Sequence, residues 1–564
     1  MTKILIINLK KFGDIFQTSH LIASIKKKTP SAEVSLLCYG ESYSAAKILK
    51  GLTTVHTIDR KKIISFFKNS IYSDGLAFNQ IEKSLRTVLD TKFDKVINYS
   101  NDKTSSYLTS YLCSNPETKF EGIRFTEKQS ISYSNEYSVI FNDVITSTPY
   151  TPYSFNDCQH LISDLSPAKA DGVKSNKLHD QTALNNLNRL RKMKNEDIST
   201  TSIIGIQLLS GDESKDIPKE VLVRTIELIQ ASKEMIPILL IGPFPKERAL
   251  ANELNATFDS KLVSVEADFI ALPSVLKSID LVVTADTSIK HLCDIQDTAC
   301  VEVSLGGAPL FKQGSNNTQS AIISAPAHMR NFKGSLGIGT KSDEYDINPN
   351  LVFHTARLLL GLSTEGFNFE DEKSIHCVYR PTKVLDGVVL MPISGPFNDA
   401  FEIRRLLCRS IVQKTLKGVL DENYITLIAN RFEKAKVTKV INEEKEALSG
   451  VTKELLSTLR GLIQTQENNS KAPLFIAALE KLLSKCFDNS LSAIPAMMFR
   501  AKIESLNSNS MQENFKEVEG LLYELKDNLQ HSIFTYSTIE RVSQEAYTNK
   551  RKATSLDKQM DERV

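Results

Sequence analysis

The sequence predicts an α/β protein of two successive lobes, with a mainly α region added towards its C-terminal end. Three observations carry this. Short apolar runs alternate with stretches of helical spacing over residues 1–165, and do so again over 201–362. A polar, punctuated segment, residues 166–200, separates the two sets. From 371 to 564 the apolar residues keep helical spacing and the alternation stops. Runs of four to eight apolar residues are the mark of strands buried on both faces, and their alternation with helices argues for βαβ units and parallel sheets.

The first lobe opens with a strand from Ile4 to Leu9, a Phe12-Gly13-Asp14 turn, and a helical pattern through Ile22 and Ile25 up to Pro30. Glu33 to Cys38, Val55 to Ile58 and Lys95 to Asn98 follow as strands. In the connecting segment, Ser166-Pro167, Asp171-Gly172 and Asn185-Asn186 are turn signals, with a helix expected around Leu184 to Leu190. The second lobe has strands at Ile203–Leu209, Ile236–Ile241, Leu262–Val265, Asp280–Thr284, Ala299–Ser304 and Ala321–Ser324, with helices at Val221–Ile229 and Leu272–Leu276. Two Rossmann-like lobes of this kind face a cleft, and ligands sit beyond the carboxyl ends of the strands. In the C-terminal region, Leu448, Val451, Leu455, Leu459 and Leu462 recur at helical spacing, as do Leu521 to Leu529, while the charged stretch Lys550 to Val564 is expected to fray.

Composition narrows the function. With 564 residues the chain is too long for one core. Hydrophobic content of 41% and charged content of 24% are ordinary for a soluble globular protein. Lys+Arg is 69 against 67 Asp+Glu, a formal net charge of +2, which argues against a dedicated nucleic-acid binder. Eight scattered cysteines with no Cys-x-x-Cys pair fit reduced thiols in a cytoplasmic protein, not a disulfide framework or a zinc site. The short apolar run before Lys10 and Lys11 reads as a strand, not a signal peptide, and no stretch is long and apolar enough to span a bilayer.

Four sites could carry chemistry, each with a bland alternative beside it. Asp14 follows the first strand, where a carboxylate is suited to take a proton from an attacking hydroxyl; on spacing alone a helix cap is the commoner use of such a residue. The loop from Ser210-Gly211 to Lys215 and Pro218 offers close backbone approach and a lysine to offset charge on a departing diphosphate; a solvated turn has the same composition. Asp286-Thr287-Ser288 caps a helix whose free N–H groups would bind phosphate, with His291 one turn on; a structural histidine fits as well. Leu305-Gly306-Gly307-Ala308-Pro309 permits ligand approach or merely a tight turn.

The order and spacing of these motifs resemble glycosyltransferase family 9, the lipopolysaccharide heptosyltransferases, over roughly residues 1–362. That family's Leu-Gly-Asp turn is matched by Phe12-Gly13-Asp14. Its Thr-Thr-x-x-x-Lys-x-Trp-Pro loop is matched by Ser210-Gly211, Lys215 and Pro218, with Ile217 in place of Trp. Its Asp-Thr-Gly-x-x-His-Leu is matched by Asp286-Thr287-Ser288-Ile289-Lys290-His291-Leu292, and its Phe-Gly-Pro-x-x-Pro turn is reduced to Leu305-Gly306-Gly307-Ala308-Pro309. Phe93-Asp94-Lys95-Val96-Ile97-Asn98 and Ser105 are similar too. The resemblance implies a GT-B fold and an inverting, metal-independent transfer from ADP-heptose, with no cofactor beyond that donor. It implies Asp14 as base and Lys215 as the stabiliser of the leaving group. Ser210, Gly211, Gly242, Glu247, Asp286, Thr287, Ser288, His291 and Gly306 would hold the donor. The chain has no Asp-x-Asp, in keeping with a metal-independent site.

Lys10, Arg60, Lys61 and Lys62 would bind an acidic acceptor, either a glycan such as the lipopolysaccharide core or a protein. The stretch Lys61 to Lys68 also suits peripheral contact with the inner face of an anionic membrane; a solvated basic face is the alternative. Two other functions compete: a GT-B transferase using another nucleotide sugar, and an inactive scaffold that binds a nucleotide or partner. The C-terminal region would recruit the acceptor or a partner, or else act as a stabilising layer.

Overall fold

The computed structural model describes residues 1–68, 73–145, 149–170, 172–194, 200–329, 345–370, 374–467, 469–488, 490–506 and 510–561. The turn expected at Asp171 and the last three residues of the chain lie outside them. The chain divides into two compact units: Met1–Phe125 with Phe155–Pro396, and Thr126–Ser154 with Phe397–Val564.

The first unit holds both α/β lobes. In the first lobe the strands β1 (Lys3–Ile7), β2 (Glu33–Tyr39), β3 (Thr54–Ile58), β4 (Lys95–Asn98) and β5 (Lys119–Glu121) form a parallel sheet in the order β3-β2-β1-β4-β5. Ile4 lies between Val34 and Lys95 in its register. The apolar run of β1 is explained by burial on both faces: Ile4 and Ile6 enter one core, Leu5 and Ile7 another. The three-residue strand β6 (Ile123–Phe125) follows, and β7 (Ile131–Tyr133) belongs to the second unit.

In the second lobe β8 (Ser202–Gln207), β9 (Met235–Ile241), β10 (Val263–Glu266), β11 (Leu281–Ala285), β12 (Ala299–Ser304) and β13 (Ala321–Ser324) are parallel, in the order β10-β9-β8-β11-β12-β13. Both sheets are therefore doubly wound, with the strand order reversing beside their first strand. In such sheets the crevice opens at that reversal. Ile203 and Val282 share the core that contains Ile4 and Ile6, so one apolar cluster is common to both lobes. The connecting helix is Lys177–Lys194, longer at both ends than expected. Its Arg191 donates to Thr201 O at 3.1 Å and pairs with Asp280 at 2.7 Å, which fixes it to the second sheet.

The sheet does not stop where the sequence alternation stops. An antiparallel hairpin, β14 (Cys377–Val384) and β15 (Gly387–Ser394), extends it past β13, with Ile323 opposite Val378. The helical region therefore begins at Phe397 and not at 371, and it includes Thr126–Ser154 from within the first lobe. A hairpin has no intervening helix, so it carries no βαβ rhythm. Gly387 has φ +145° and a Cβ there would fall 2.2 Å from the Asp157 carboxylate, so the turn admits only glycine.

The second unit is mainly helical: Asp399–Lys417, Glu422–Arg431, Lys434–Glu467, Ala472–Ser484, Ala493–Glu504 and Met511–Asp561. Asn398 and Asp421 cap the first two through the Phe401 and Tyr424 N–H groups. Leu448, Val451, Leu455 and Leu462 are buried and Leu459 is half-buried, as their spacing predicts. Inside the unit, Arg409 stacks on the Tyr153 ring at 4.5 Å and Lys502 pairs with Glu136 at 2.6 Å. The terminal helix runs on through Lys550 to Asp561, where fraying was expected; no Gly or Pro follows Gly520 to break it.

A chain ended after residue 370 would leave the β13 edge uncovered and 126–154 without the helices they pack on. Unpaired strand edges aggregate. Such a fragment is expected to be largely insoluble or aggregated in size-exclusion chromatography, while the full chain runs as a discrete species.

Candidate functional site

The candidate residues follow the strands that flank each reversal point. Asp14 lies after β1; Ser210, Gly211 and Lys215 lie after β8; Asp286, Thr287 and Ser288 lie after β11. Their distance in sequence is large, yet the first helix of the first lobe, α1 (Phe12–Lys28), packs directly on the Ser288–Gln296 helix of the second. Phe12 and Phe16 also meet Phe269 with ring centroids 5.0 and 5.2 Å apart. This apolar contact brings Asp14 to the second lobe.

Asp14 is not the helix cap. Lys11 occupies that position without a side-chain cap, and Asp14 lies inside the first turn. Its carboxylate accepts a hydrogen bond from Gln313 Nε2 of the second lobe at 2.8 Å. Burial pushes the Asp14 carboxyl up; Lys10, the Gln313 amide and the Lys11 backbone N–H only partly offset this, and Asp286 adds to it. A carboxylate made more basic by burial and held in a cleft is well suited to proton abstraction.

Asp286 is a two-sided ion pair. Oδ2 accepts from Lys215 Nζ at 2.7 Å and Oδ1 from Lys290 Nζ at 2.5 Å. Burial alone would raise the Asp286 carboxyl, but the two ammonium groups outweigh it and hold it well below the usual carboxylate range. Lys290 is fully buried and also bonds Glu302 Oε1 at 3.2 Å and Gln313 O at 2.7 Å. Lys215 retains some exposure, with its side chain 20% accessible, so it is the member of the pair that reaches the cleft. Burial raises the Glu302 carboxyl, which lessens its claim on Lys290.

The loop after β8 is held from within. Ser210 N donates to Asp216 Oδ1 at 2.5 Å, and Asp212 caps the turn that carries Lys215 through Ser214 N at 3.1 Å. A Cβ on Gly211 would meet nothing within 4 Å, so its backbone is open to approach. Gly306 sits beneath this loop with φ +55°, and a Cβ there would fall 2.2 Å from Ser214 O. Its role in the structure is to let the loop close down. Thr287 caps the Ser288–Gln296 helix through Ile289 N at 3.3 Å, leaving Ser288 in its first turn. Gln207 Oε1 accepts from Thr284 Oγ1 at 2.9 Å and Ala285 N at 3.2 Å, which fixes the strand end before that cap. Glu247 accepts from the Gly242 N–H, and burial raises its carboxyl.

His291 lies one turn into the Ser288–Gln296 helix, as expected, and its surroundings match the structural alternative. It is buried, with Nδ1 3.1 Å from the Gln17 amide nitrogen, and its ring packs against Gly13. Burial, together with Lys290, pulls its pKa well below the ordinary value, so it is a neutral packing group between the lobes. The expected acceptor residues are partly committed. Lys10 pairs with Asp102 at 3.1 Å, and Arg60 pairs with Glu41 at 2.7 Å while lying over the Tyr39 ring at 4.7 Å. Lys61 and Lys62 are exposed on the Arg60–Phe67 helix.

Lys290, Gln313, Glu302 and Gln207 were not anticipated. Lys290 had a signal, since it stands four residues after Asp286, in the first turn of the helix that Thr287 caps. Gln313, at the end of a four-residue helix, had none.

No protein-family model matches the chain, and no curated protein matches it. Solved structures do. A glycosyltransferase family 9 protein from Veillonella parvula DSM 2008 is 13% identical, covering 64% of this chain and 97% of that one at a TM-score of 0.45. The E. coli ADP-heptose lps heptosyltransferase II is 12% identical, covering 64% and 98% at 0.44. The E. coli heptosyltransferase WaaC with ADP is 14% identical, covering 54% and 87% at 0.35.

A Cβ at Gly13 would fall 2.6 Å from His291 Cδ2, inside the contact that brings the lobes together. Overpacking of this kind costs about 1–3 kcal/mol. Gly13→Ala is expected to lower the melting temperature, measured by differential scanning fluorimetry, and the double variant with His291→Ala should recover part of the loss.

Proposed function

We propose that the chain is an inverting, metal-independent glycosyltransferase that transfers a heptose from ADP-heptose to a surface glycan or a protein. The observation that carries this is the hydrogen-bonded network that runs from Lys215 through Asp286, Lys290 and Gln313 to Asp14. It sets a basic carboxylate and an ammonium group in one cleft between two doubly wound sheets.

In this reaction Asp14 takes the proton of the acceptor hydroxyl as its oxygen bonds to the anomeric carbon. The bond from that carbon to the diphosphate oxygen breaks, and the diphosphate leaves with the electron pair. Attack opposite the leaving group inverts the anomeric centre. Lys215 and the free N–H groups at the start of the Ser288–Gln296 helix face the charge that grows on the diphosphate. Gly211, Gly242, Glu247 and Ser288 are assigned to the donor. Asp286 is assigned to holding Lys215, with Lys290 compensating its charge. Lys61 and Lys62 are assigned to an acidic acceptor. The same helix exposes Ile64 and Phe67, which suits contact with an anionic membrane surface. The helical unit is assigned to recruitment of the acceptor.

Donor turnover assayed with ADP-heptose and an acceptor extract tests the base directly. Asp14→Asn is expected to lower kcat by about 10²–10⁴ with donor affinity retained. The sign of the pH dependence follows from Asp14: only its carboxylate form accepts a proton, and burial raises its pKa. kcat/KM should therefore rise with pH through a limb above the ordinary aspartate range, near 3.9. Wild-type turnover in a folded Asp14→Asn protein would remove the assignment.

Lys215→Ala is expected to reduce kcat by about 10²–10³ while the donor dissociation constant changes far less, because the ammonium faces charge that develops only as the bond breaks. Equal losses in affinity and kcat/KM with kcat unchanged would make Lys215 a uniform binder.

A further inference from the structure

We infer that Gln313 is a positioning residue for Asp14, and that it ties the orientation of the base to the lysine pair of the second lobe. This rests on Asp14 acting as the base. Gln313 ends the Leu310–Gln313 helix, which follows β12, so it belongs to the lobe opposite Asp14. Its side-chain amide donates to Asp14 Oδ1 at 2.8 Å. Its backbone is pinned at both polar groups: the N–H donates to Pro309 O at 2.9 Å, and the carbonyl accepts from Lys290 Nζ at 2.7 Å.

The grip on that carbonyl is firm for a stereochemical reason. An ammonium has three hydrogens. Those of Lys290 are spent on Asp286 Oδ1, Glu302 Oε1 and Gln313 O, and the side chain is fully buried. None is left for water, and rotating it away would strand a buried charge. Gln313 is thereby held where its amide meets Asp14.

The amide does two things to the base. It fixes the plane of the carboxylate and occupies Oδ1, so the acceptor proton passes to the other oxygen while Oδ1 keeps its hydrogen bond. It also favours the charged form against the burial that raises the Asp14 pKa. The same bond joins the two lobes, so the orientation of the base depends on how they pack.

The test compares the parent protein with Gln313→Leu, which removes the donor at similar volume, and Gln313→Glu, each in the full chain. pH profiles of kcat and kcat/KM are measured with ADP-heptose and acceptor extract, beside melting temperature and donor KM. Loss of a hydrogen bond to a charged group should move the acid limb of Gln313→Leu up by about one to two pH units. Its kcat at the pH optimum should fall about 10–100-fold, by the cost of misorienting a catalytic group, with donor KM within about twofold. Gln313→Glu donates only when protonated, whereas Asp14 accepts only when ionised, so its profile should shrink to a bell that falls again as the pH rises past the titration of the new carboxyl. A lower melting temperature with an unmoved acid limb in Gln313→Leu would overturn the inference. If Gln313→Leu does not fold, a Gln313→Glu profile parallel to that of the parent overturns it. Asp14→Asn separates the two claims. Its inactivity, with an unmoved limb in Gln313→Leu, sinks only the role of Gln313; its full activity sinks the base assignment itself.

Discussion

A buried carboxylate needs a compensating charge, and Asp286 is held between two, Lys215 and Lys290. Removing one partner from a buried pair typically costs about 3–5 kcal/mol, since the remaining charge is left uncompensated. The rest of the cleft accommodates that constraint. Lys290 is fully buried and also donates to Glu302 and Gln313 O, which leaves Lys215 as the partly exposed ammonium of the pair. A single lysine facing Asp286 would have had its charge cancelled. With two, the group that faces a ligand keeps part of its field.

The second requirement is that the two lobes meet closely enough for Asp14 to join this network. Apolar packing meets it. The aromatic rings of Phe12 and Phe16 against Phe269, and the continuous core from Ile4 to Val282, set the approach of α1 to the Ser288–Gln296 helix. Gly13 and His291 then act as a matched pair, because the imidazole fills the space that a side chain at residue 13 would need. A neutral histidine suits this place, since a charged one would sit unpaired beside Lys290.

Much of the lobes was legible because their strands are buried on both faces, which leaves uninterrupted apolar runs such as Ile4–Ile7 and Leu281–Val283. The β14–β15 hairpin escaped because an antiparallel pair lacks a crossover helix. The segment Thr126–Ser154 escaped for a different reason: membership in a unit almost 250 residues further along the chain is decided by contacts such as Lys502 with Glu136, which no local pattern encodes. Asp14, Lys215 and Asp286 were singled out by their position after a strand and by the order and spacing of their motifs. Gln313 was invisible, since neither its neighbours nor its short helix distinguish it from a surface glutamine.

The sequence by itself determined the strand–helix rhythm, the linker, and which loops follow which strands, because these depend on hydrophobic periodicity and turn chemistry over a few residues. Only the tertiary structure decided what each polar residue does. Asp14 went from a possible cap to a carboxylate bonded to the other lobe; His291, open between ligand contact and structural histidine, packs between the lobes; Gly306 became the floor of the Lys215 loop. The physical reason is that hydrogen bonds and ion pairs act over about 3 Å, and residues as far apart in sequence as Asp14 and Gln313 come within that reach only once the sheets have packed.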